Sequence, residues 1–161
     1  MKTLEGKAAY ITGCSKGICY GIAKILLEQG MKVAITSRDL NAAKNAAREL
    51  SKVSSSVLPL ESDVTDLSSE KKAIQATIDH FGKLDVVIAN AGVGHFAPIE
   101  ELTEKDWKNI IDTNLTGVFH TVKASIDALK KSEGYIITIA SLAGTNFFEN
   151  GSEFFHKMSY S

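Results

Sequence analysis

Short apolar runs alternate with stretches of helical periodicity along this chain, and that alternation restricts its possible folds more than any other feature. The apolar runs, which are rich in β-branched residues, cover residues 8–12, 33–36, 57–60, 84–89 and 135–139. Repeated strand–helix units are typical of parallel strands that are joined by right-handed helical crossovers. Continuous apolar strands are typical of a sheet that helices cover on both faces. We therefore predict an α/β fold, a doubly wound parallel sheet that is truncated after its fifth strand.

Local signals indicate where the intervening helices begin and end. The first helical stretch has residues at helical spacing, and Gly30 follows it as a C-terminal cap would. The spaced residues are Ile18, Ile22, Ile25, Leu26 and Gln29. Asp39 is the expected N-cap of the second helix. The third helix is expected over residues 68–81.

The composition is that of an ordinary globular domain and argues against several classes of function. The 161 residues carry a formal net charge of −1, which gives no reason to expect nucleic acid or a membrane as a partner. The two cysteines, Cys14 and Cys19, are too few for a disulfide framework, and no apolar run is long enough to span a membrane. The N-terminus is too polar for a signal peptide. We therefore expect a cytoplasmic protein without a metal site, with one domain over residues 1–152 and an atypical tail over residues 153–161.

A glycine-bearing turn with the sequence TGCSKGIC joins the first strand to the first helix over residues 12–19. A helix that begins directly after such a turn presents free N–H groups and the positive end of its dipole above the strand. A dinucleotide pyrophosphate is the usual ligand of this arrangement. Gly13 and Gly17 flank the three-residue loop, so this turn is the candidate phosphate site.

Polar and small residues follow the third and fourth strands. Asp63 closes the third strand, where a carboxylate is placed to accept a hydrogen bond from an adenine amino group. Residues 90–92, with the sequence NAG, close the fourth strand, where small side chains leave room for a ribose. Each feature alone is also typical of an ordinary turn. Because ligands of open α/β sheets bind at the carboxyl ends of the strands, their combination indicates a nucleotide site.

These residues carry a resemblance to a known family. Over residues 5–152 the chain resembles the N-terminal part of the classical short-chain dehydrogenase/reductase family. The family motif T-G-x-x-x-G-x-G corresponds to residues 12–19, N-A-G to residues 90–92, and the helix Asn and strand-end Ser to Asn114 and Ser141. The resemblance implies a Rossmann-type fold, NAD(P) as cofactor, and hydride transfer between that cofactor and a small carbonyl compound or secondary alcohol. The cofactor-binding residues that it implies are Gly13, Ser15, Lys16, Gly17, Ile18, Ser37, Arg38, Asp63, Val64, Asn90, Ala91 and Gly92.

The charge at the end of the second strand favours NADP over NAD. In this fold an acidic residue at that position hydrogen-bonds the ribose hydroxyls of NAD and repels a 2′-phosphate. This chain has Ser37 and Arg38 there, and Lys16 lies in the glycine loop. Arg offers a planar fork of donors to a phosphate and Lys adds a point charge, although both are also common as solvated surface cations. We therefore expect NADP.

Cys19 stands where the family motif has its third glycine. That glycine permits close packing of the first helix on the strand beside the pyrophosphate. The added Cβ and sulfur are expected to overpack this contact, at a cost of about 1 kcal/mol or more, and to weaken the cofactor site.

The family's catalytic pair, a Tyr with a Lys four residues later, has no complete match after Ser141. In the family the Tyr is the general acid/base and the Lys lowers its pKa, while the Ser hydrogen-bonds the substrate oxygen and the Asn supports a proton-relay water. The usual spacing falls on Phe154 and Met158. In a second alignment Tyr160 is the catalytic Tyr, and its Lys would follow the last residue of the sequence.

Two explanations of the tail stay open. The sequence after Ser152 is out of register with the family through a frameshift or a cloning junction, or a family member with an inserted loop is cut after Ser161. Both predict the loss of the later strands, the substrate-binding loop and the family's homo-oligomer interface. We therefore expect an oxidoreductase with impaired or absent activity. The alternatives are a non-catalytic nucleotide-binding or interaction module and an unstable truncated fragment.

Overall fold

The computed structural model of the protein describes residues 3–95 and 97–141. These residues form five strands, five α-helices and one π-helical turn. In chain order the elements are β1 (Ala8–Ile11), α1 (Ile18–Glu28), β2 (Lys32–Ser37), α2 (Leu40–Leu50), β3 (Val57–Glu61), α3 (Leu67–Phe81), β4 (Val86–Ala89), α4 (Glu104–Ile111), the π-helix (Asp112–Thr116), α5 (Gly117–Ser132) and β5 (Tyr135–Thr138). The predicted alternation of strands and helices is confirmed. None of the described helices is long and apolar enough to cross a membrane.

The strands form one sheet in the order β3-β2-β1-β4-β5, and every neighbouring pair is parallel. The strand order therefore reverses between β1 and β4, because the chain fills one side of β1 first and the other side afterwards. In open α/β sheets the crevice outside the carboxyl ends of the strands at such a reversal is the usual ligand site. The predicted Rossmann-type fold is confirmed.

Helices cover both faces of the sheet, as β1 shows most directly. Ala9 and Ile11 belong to an apolar cluster that also contains buried residues of α1 and α2. Ala8 and Tyr10, which point to the opposite face, belong to a second cluster with residues of α3 and α5. All four are fully buried, which explains why β1 is apolar throughout rather than alternating.

The face of α1 that packs on the sheet matches the predicted one only in part, since Ile22 and Leu26 are half-buried against the apolar cluster. Cys19, Ala23 and Leu27 are buried, whereas Ile18 is 71% exposed and Ile25 is 55% exposed. The buried set also recurs at intervals of four residues, so both faces of this helix have helical periodicity.

Small residues also line the inner face of α5, where Gly117, Thr121 and Ser125 are buried. A Cβ on Gly117 would lie 2.7 Å from Cγ2 of Val64, so no larger residue fits there without displacing the segment after β3. Phe119, one of the apolar residues in this helix, is 56% exposed.

The predicted capping signals are confirmed with one shift. Asp39 accepts a hydrogen bond from the backbone N–H of Asn41, 2.8 Å away, and caps α2. Gly30 has a φ of 78° directly after the C-cap of α1. The third helix begins one residue earlier than predicted, at Leu67, because Asp66 caps it.

A fully buried carboxyl group joins three elements on the α3–α5 side of the sheet. Oε1 of Glu70 accepts hydrogen bonds from the hydroxyls of Tyr10 (2.9 Å) and Ser62 (2.6 Å), and Oε2 accepts one from Thr121 (2.8 Å). We call these four residues the Glu70 cluster. Burial and the neighbouring Glu70 both raise the pKa of Tyr10 well above its ordinary value, so its hydroxyl keeps its proton at neutral pH.

Asp85 ties the amino ends of the strands together, opposite the candidate ligand edge. Its carboxylate accepts a hydrogen bond from the N–H of Ala8 at 2.8 Å and ion-pairs with Lys7 and Lys83. Burial opposes ionisation, but these three donors outweigh it and hold the pKa of Asp85 below its ordinary value.

Candidate functional site

A cavity of about 500 Å³ lies at the carboxyl edge of the sheet, where β1, β2, β3 and β4 end. All twelve of the predicted cofactor-binding residues line it. The structure therefore brings together residues from four strand ends that are up to 79 positions apart in the sequence. Three further lining residues, Ser62, Val93 and Thr113, were not predicted. Each is adjacent in sequence to a predicted residue, which is the signal that could have indicated them.

The glycine loop lies close against the segment that follows β4. Gly13 has a φ of 66°, and a Cβ on it would lie 2.8 Å from the Cα of Ala91. A side chain at this position would therefore meet backbone that cannot give way. Gly17, with a φ of 75°, is the N-cap of α1, and no described side chain caps the first turn of that helix. The N–H groups at the start of α1 are thus left for a ligand at the cavity.

Cys19, at the third glycine position of the motif, lies between α1 and the sheet. Its side chain points into the apolar cluster behind the loop, it is only 1% exposed, and it does not line the cavity. Its thiol donates hydrogen bonds to the carbonyl oxygens of Gly13 (3.1 Å) and Lys16 (3.6 Å). The side chain thus occupies the contact between α1 and the sheet where overpacking was expected, and the predicted cost to the cofactor site stays a prediction.

Thr12 fixes the end of β1 to the end of β4. Its hydroxyl oxygen accepts hydrogen bonds from the N–H groups of Asn90 and Ala91, both at 3.0 Å. The side-chain amide of Asn90 donates in return to the carbonyl oxygen of Thr12 at 3.1 Å. These bonds hold the predicted ribose-side residues against the glycine loop.

Side chains of α3 and α5 contact the backbone of the segment that follows β3. The N–H of Asp63 donates to the Ser69 hydroxyl at 3.0 Å, and Oδ1 of Asp63 accepts from Thr65. Nδ1 of His120 lies 2.9 Å from the carbonyl oxygen of Val64. Asp63 and Val64 are therefore fixed in place before any ligand binds.

Two cations border the cavity. Lys16 and Arg38 line it, and both are exposed. Within residues 3–95 and 97–141 neither forms an ion pair. The nearby carboxylate of Asp39 is occupied as the cap of α2. The Ser37 hydroxyl accepts a hydrogen bond from the N–H of Asp39 at 3.2 Å, which leaves its own proton for a further acceptor.

The predicted catalytic residues are only partly brought to the site. Asn114 lies in the π-helix, next to the cavity-lining Thr113. Its amide accepts from the N–H of Val93 and donates to the carbonyl oxygen of Val93, both at 2.8 Å. Ser141 is exposed at the end of the described chain. Tyr160, Phe154 and the tail lie outside the described residues.

Comparison with known proteins assigns the chain to a family. The sequence profile of the short chain dehydrogenases matches residues 7–154, so the chain belongs to the short chain dehydrogenase family. An uncharacterized oxidoreductase of Methylorubrum extorquens is 36% identical over 143 residues, which make up 88% of this chain and 57% of that protein. One from Staphylococcus aureus strain MW2 is 36% identical over 145 residues, which make up 89% and 62%. The chain thus spans about three fifths of the length of these curated relatives.

Solved structures support the same assignment. A short-chain type dehydrogenase/reductase from Mycobacterium marinum superposes with a TM-score of 0.86 at 33% identity, over 90% of this chain and 60% of that one. An alcohol dehydrogenase from Thermococcus sibiricus, solved with 5-hydroxy-NADP, gives 0.84 at 34% identity, over 90% and 62%. A 3-ketoacyl-(acyl-carrier-protein) reductase from Brucella melitensis, solved with NADH, gives 0.85 at 29% identity, over 97% and 65%. The family is one of NAD(P)-dependent oxidoreductases.

Proposed function

We propose that this chain binds NADP(H) in the cavity at the carboxyl edge of its sheet, in preference to NAD(H). The observation that carries the proposal is the pair of exposed cations, Lys16 and Arg38, which border the cavity without an ion pair among the described residues. A 2′-phosphate supplies the negative charge that this pair lacks, and a guanidinium binds phosphate oxygens with a planar fork of donors.

The shape of the loop also supports a dinucleotide. The close approach of Gly13 to Ala91 leaves backbone, rather than side chains, facing the cavity. The uncapped start of α1 at Gly17 offers N–H groups to a pyrophosphate. Asp63 keeps one carboxylate oxygen, Oδ2, outside its turn with Thr65, and an adenine amino group is a suitable donor to it.

For catalysis, we infer an oxidoreductase whose activity is impaired in the chain as written. The bound cofactor would supply or accept a hydride, opposite a carbonyl compound or a secondary alcohol. Ser141 is the residue assigned to hydrogen-bond the substrate oxygen, and Asn114 supports the proton relay. In the alignment on Phe154 and Met158 the proton donor is missing, because Phe154 has no ionisable hydroxyl and Met158 carries no charge to lower the pKa of a neighbouring phenol. In the second alignment Tyr160 supplies the phenol, and none of the 161 residues lies at the position of its lysine. Phe154 and Met158 also favour the second candidate, a non-catalytic nucleotide-binding or interaction module.

The cofactor proposal is tested by titrating NADPH and NADH into the purified chain and following nicotinamide fluorescence. Arg38→Ala is expected to weaken NADPH binding about tenfold or more and to change NADH binding less than about threefold. Arg48→Ala is the matched control, since Arg48 is an exposed cation on α2 that does not line the cavity. Equal weakening of both nucleotides by Arg38→Ala, or tighter binding of NADH by the unmodified chain, would contradict the proposal.

The catalytic proposal is tested in the same preparation with a simple diketone as substrate. We expect NADPH binding with little or no oxidation of NADPH. Turnover that Ser141→Ala abolishes would show a working oxidoreductase and would refute the proposed impairment. If neither nucleotide binds, the nucleotide-module alternative fails as well.

A further inference from the structure

The Glu70 cluster extends from the core of the protein to the wall of the cavity. Ser62, which donates to Oε1 of Glu70 at 2.6 Å, also lines the cavity. Its exposed fraction is 3%, and Glu70 itself is fully buried. The other two donors, Tyr10 on β1 and Thr121 on α5, do not line the cavity. Among the four residues of the cluster, Ser62 therefore connects the cavity with the buried carboxyl group.

A chain of hydrogen bonds connects the backbone of Asp63 with the carboxyl group of Glu70. The N–H of Asp63 donates to the Ser69 hydroxyl at 3.0 Å. The hydroxyl oxygens of Ser69 and Ser62 lie 3.4 Å apart. A serine hydroxyl has one proton, and Ser62 donates its proton to Glu70, so Ser69 is the donor between the two serines. Every donor of the chain thus points toward the buried carboxyl group, which accepts at its end.

The local contacts of Asp63 set the shape of its turn but not the direction in which the turn points. Thr65 donates to Oδ1 of Asp63, and the N–H of Asp66 donates to the carbonyl oxygen of Asp63 at 3.0 Å. These atoms move together if the turn moves. The N–H of Ser62 donates to the carbonyl oxygen of Ser37 at 3.0 Å, so the chain leaves the sheet at a fixed point. Its direction after that point depends on side-chain contacts with the helices.

Two contacts with α5 lie on either side of Asp63. Oε2 of Glu70 accepts from the hydroxyl of Thr121 at 2.8 Å, which ties the residues before Asp63 to that helix. Nδ1 of His120 lies 2.9 Å from the carbonyl oxygen of Val64, which directly follows Asp63. Two anchors fix the orientation of the turn between them as well as its position. Without Glu70 the contact at Val64 remains, and the turn is free to rotate about it.

We propose that Glu70 is a positioning residue for the cofactor, which orients the carboxylate of Asp63 toward the adenine amino group through Ser62 and Ser69. This inference rests on the proposed function, because that function pairs the adenine amino group with Oδ2 of Asp63. Hypoxanthine has an oxygen where adenine has that amino group. A correctly oriented Asp63 therefore distinguishes the two bases, and a misoriented one does not.

The experiment measures the affinities of NADPH and of its hypoxanthine analogue by nicotinamide fluorescence. We expect the unmodified chain to bind NADPH about tenfold or more tightly than the analogue, since the amino group donates to a charged acceptor. Glu70→Leu should reduce this ratio to less than about threefold, chiefly by weakening the binding of NADPH. Ser62→Ala breaks the same chain of hydrogen bonds and should also lower the ratio, so the test stands even if Glu70→Leu does not fold.

Two variants separate positioning from a general effect on the core. Glu70→Gln should keep the ratio of the unmodified chain, because its amide oxygen still accepts from Ser62. Tyr10→Phe is the matched control, since it removes a donor to the same oxygen of Glu70 but leaves the chain of bonds to Asp63 intact. It should also keep the ratio. A loss of overall stability alone weakens both nucleotides alike and does not change their ratio.

Amide hydrogen exchange in the ligand-free chain, followed by NMR, tests the positioning without a nucleotide. The N–H of Asp63 is compared with that of Cys14, which donates to the carbonyl oxygen of Thr36 at 2.7 Å at the same edge of the sheet. Glu70→Leu should accelerate exchange at Asp63 about tenfold or more relative to Cys14, because local opening no longer breaks a connected chain of bonds. Tyr10→Phe should change the two rates alike.

The remaining outcomes overturn distinct parts of the proposal. If Glu70→Leu and Ser62→Ala keep the ratio of the unmodified chain, the orientation of Asp63 does not depend on Glu70. If Tyr10→Phe or Glu70→Gln lowers the ratio as Glu70→Leu does, the effect belongs to the core in general. Should the unmodified chain bind neither nucleotide, or both equally, the adenine contact of the proposed function is wrong. The exchange rates then still decide whether Glu70 holds Asp63 in place.

Discussion

Replacing Tyr10 with Phe and Glu70 with Leu, singly and together, measures what the Glu70 cluster contributes to the free energy of unfolding. The cluster is fully buried, and its three hydroxyls come from different elements of the chain. Because the Tyr10 hydroxyl donates to Oε1 of Glu70, removing either residue leaves the other without this hydrogen bond.

The contacts set the size of each effect. Tyr10→Phe removes one donor, but Ser62 still donates to the same oxygen at 2.6 Å, so we expect a loss of about 1–2 kcal/mol. Glu70→Leu removes the acceptor of three hydroxyls. Thr121 keeps the carbonyl oxygen of Gly117 at 2.9 Å, so the cost falls mainly on Tyr10 and Ser62, and we expect about 2–4 kcal/mol. In the double variant no tyrosine hydroxyl is left without an acceptor, so its cost should be smaller than the sum of the two by about 1 kcal/mol or more.

The measurement is urea unfolding at pH 7, followed by far-UV circular dichroism. The slope with denaturant should stay constant across the four proteins, since a changed slope would mean that the unfolded or native ensemble had altered. Effects that add to within about 0.5 kcal/mol would refute the reasoning, because uncoupled residues behave in that way. Such a result would mean that the Tyr10 hydroxyl does not depend on Glu70.

Two further perturbations test the loop and the amino edge of the sheet. Gly13→Ala should lower the free energy of unfolding by about 2–4 kcal/mol, whereas Gly82→Ala should lower it by only about 1 kcal/mol. Both have a positive φ, but only a Cβ on Gly13 would meet the backbone of Ala91; equal losses in thermal or urea unfolding would contradict this. The lowered pKa of Asp85 implies stability that is present above about pH 4, the ordinary range of a carboxyl group, and is lost as the pH falls through the folded-state pKa. Asp85→Asn should therefore flatten the decline of the melting temperature between about pH 5 and about pH 3. Parallel curves of melting temperature against pH for the two proteins would exclude this role.

Most residues that line the cavity were predictable because they directly follow predicted strands in the sequence. Ligand contacts in an open parallel sheet come from the residues that directly follow strands, and strand ends can be located from short apolar runs. Asp63 and residues 90–92 were found in this way. Thr113 was not, because it lies inside a helical stretch rather than after a strand, and its one signal in the sequence is its neighbour Asn114.

The orientation of side chains on the helices was harder to predict. Ile18 and Ile25 suggested an apolar face for α1, yet both are exposed, and the helix is buried at Cys19, Ala23 and Leu27. Hydrophobicity alone cannot distinguish two faces that both have helical spacing, because the contacts that each face makes with the sheet depend on residues outside the helix. Glu70 illustrates the same limit. A charged residue is expected at the surface, and its burial depends on hydroxyls as distant in sequence as Tyr10 and Thr121.

Asn114 supports the wall of the dinucleotide cavity independently of any role in proton transfer. Its amide makes one accepted and one donated hydrogen bond with the backbone of Val93, a lining residue, so in this structure it supports the cavity wall. An Asn side chain offers two donor hydrogens and an acceptor oxygen with two lone pairs, so one N–H and one lone pair remain for a water. The same residue can therefore hold the wall of the dinucleotide cavity whether or not a proton relay is completed around it. Every residue proposed to contact the dinucleotide lies within residues 3–141, whereas the proton donor of either alignment falls after Ser141. Nucleotide affinity and turnover thus depend on different parts of the chain, so nucleotide binding is compatible with the absence of turnover.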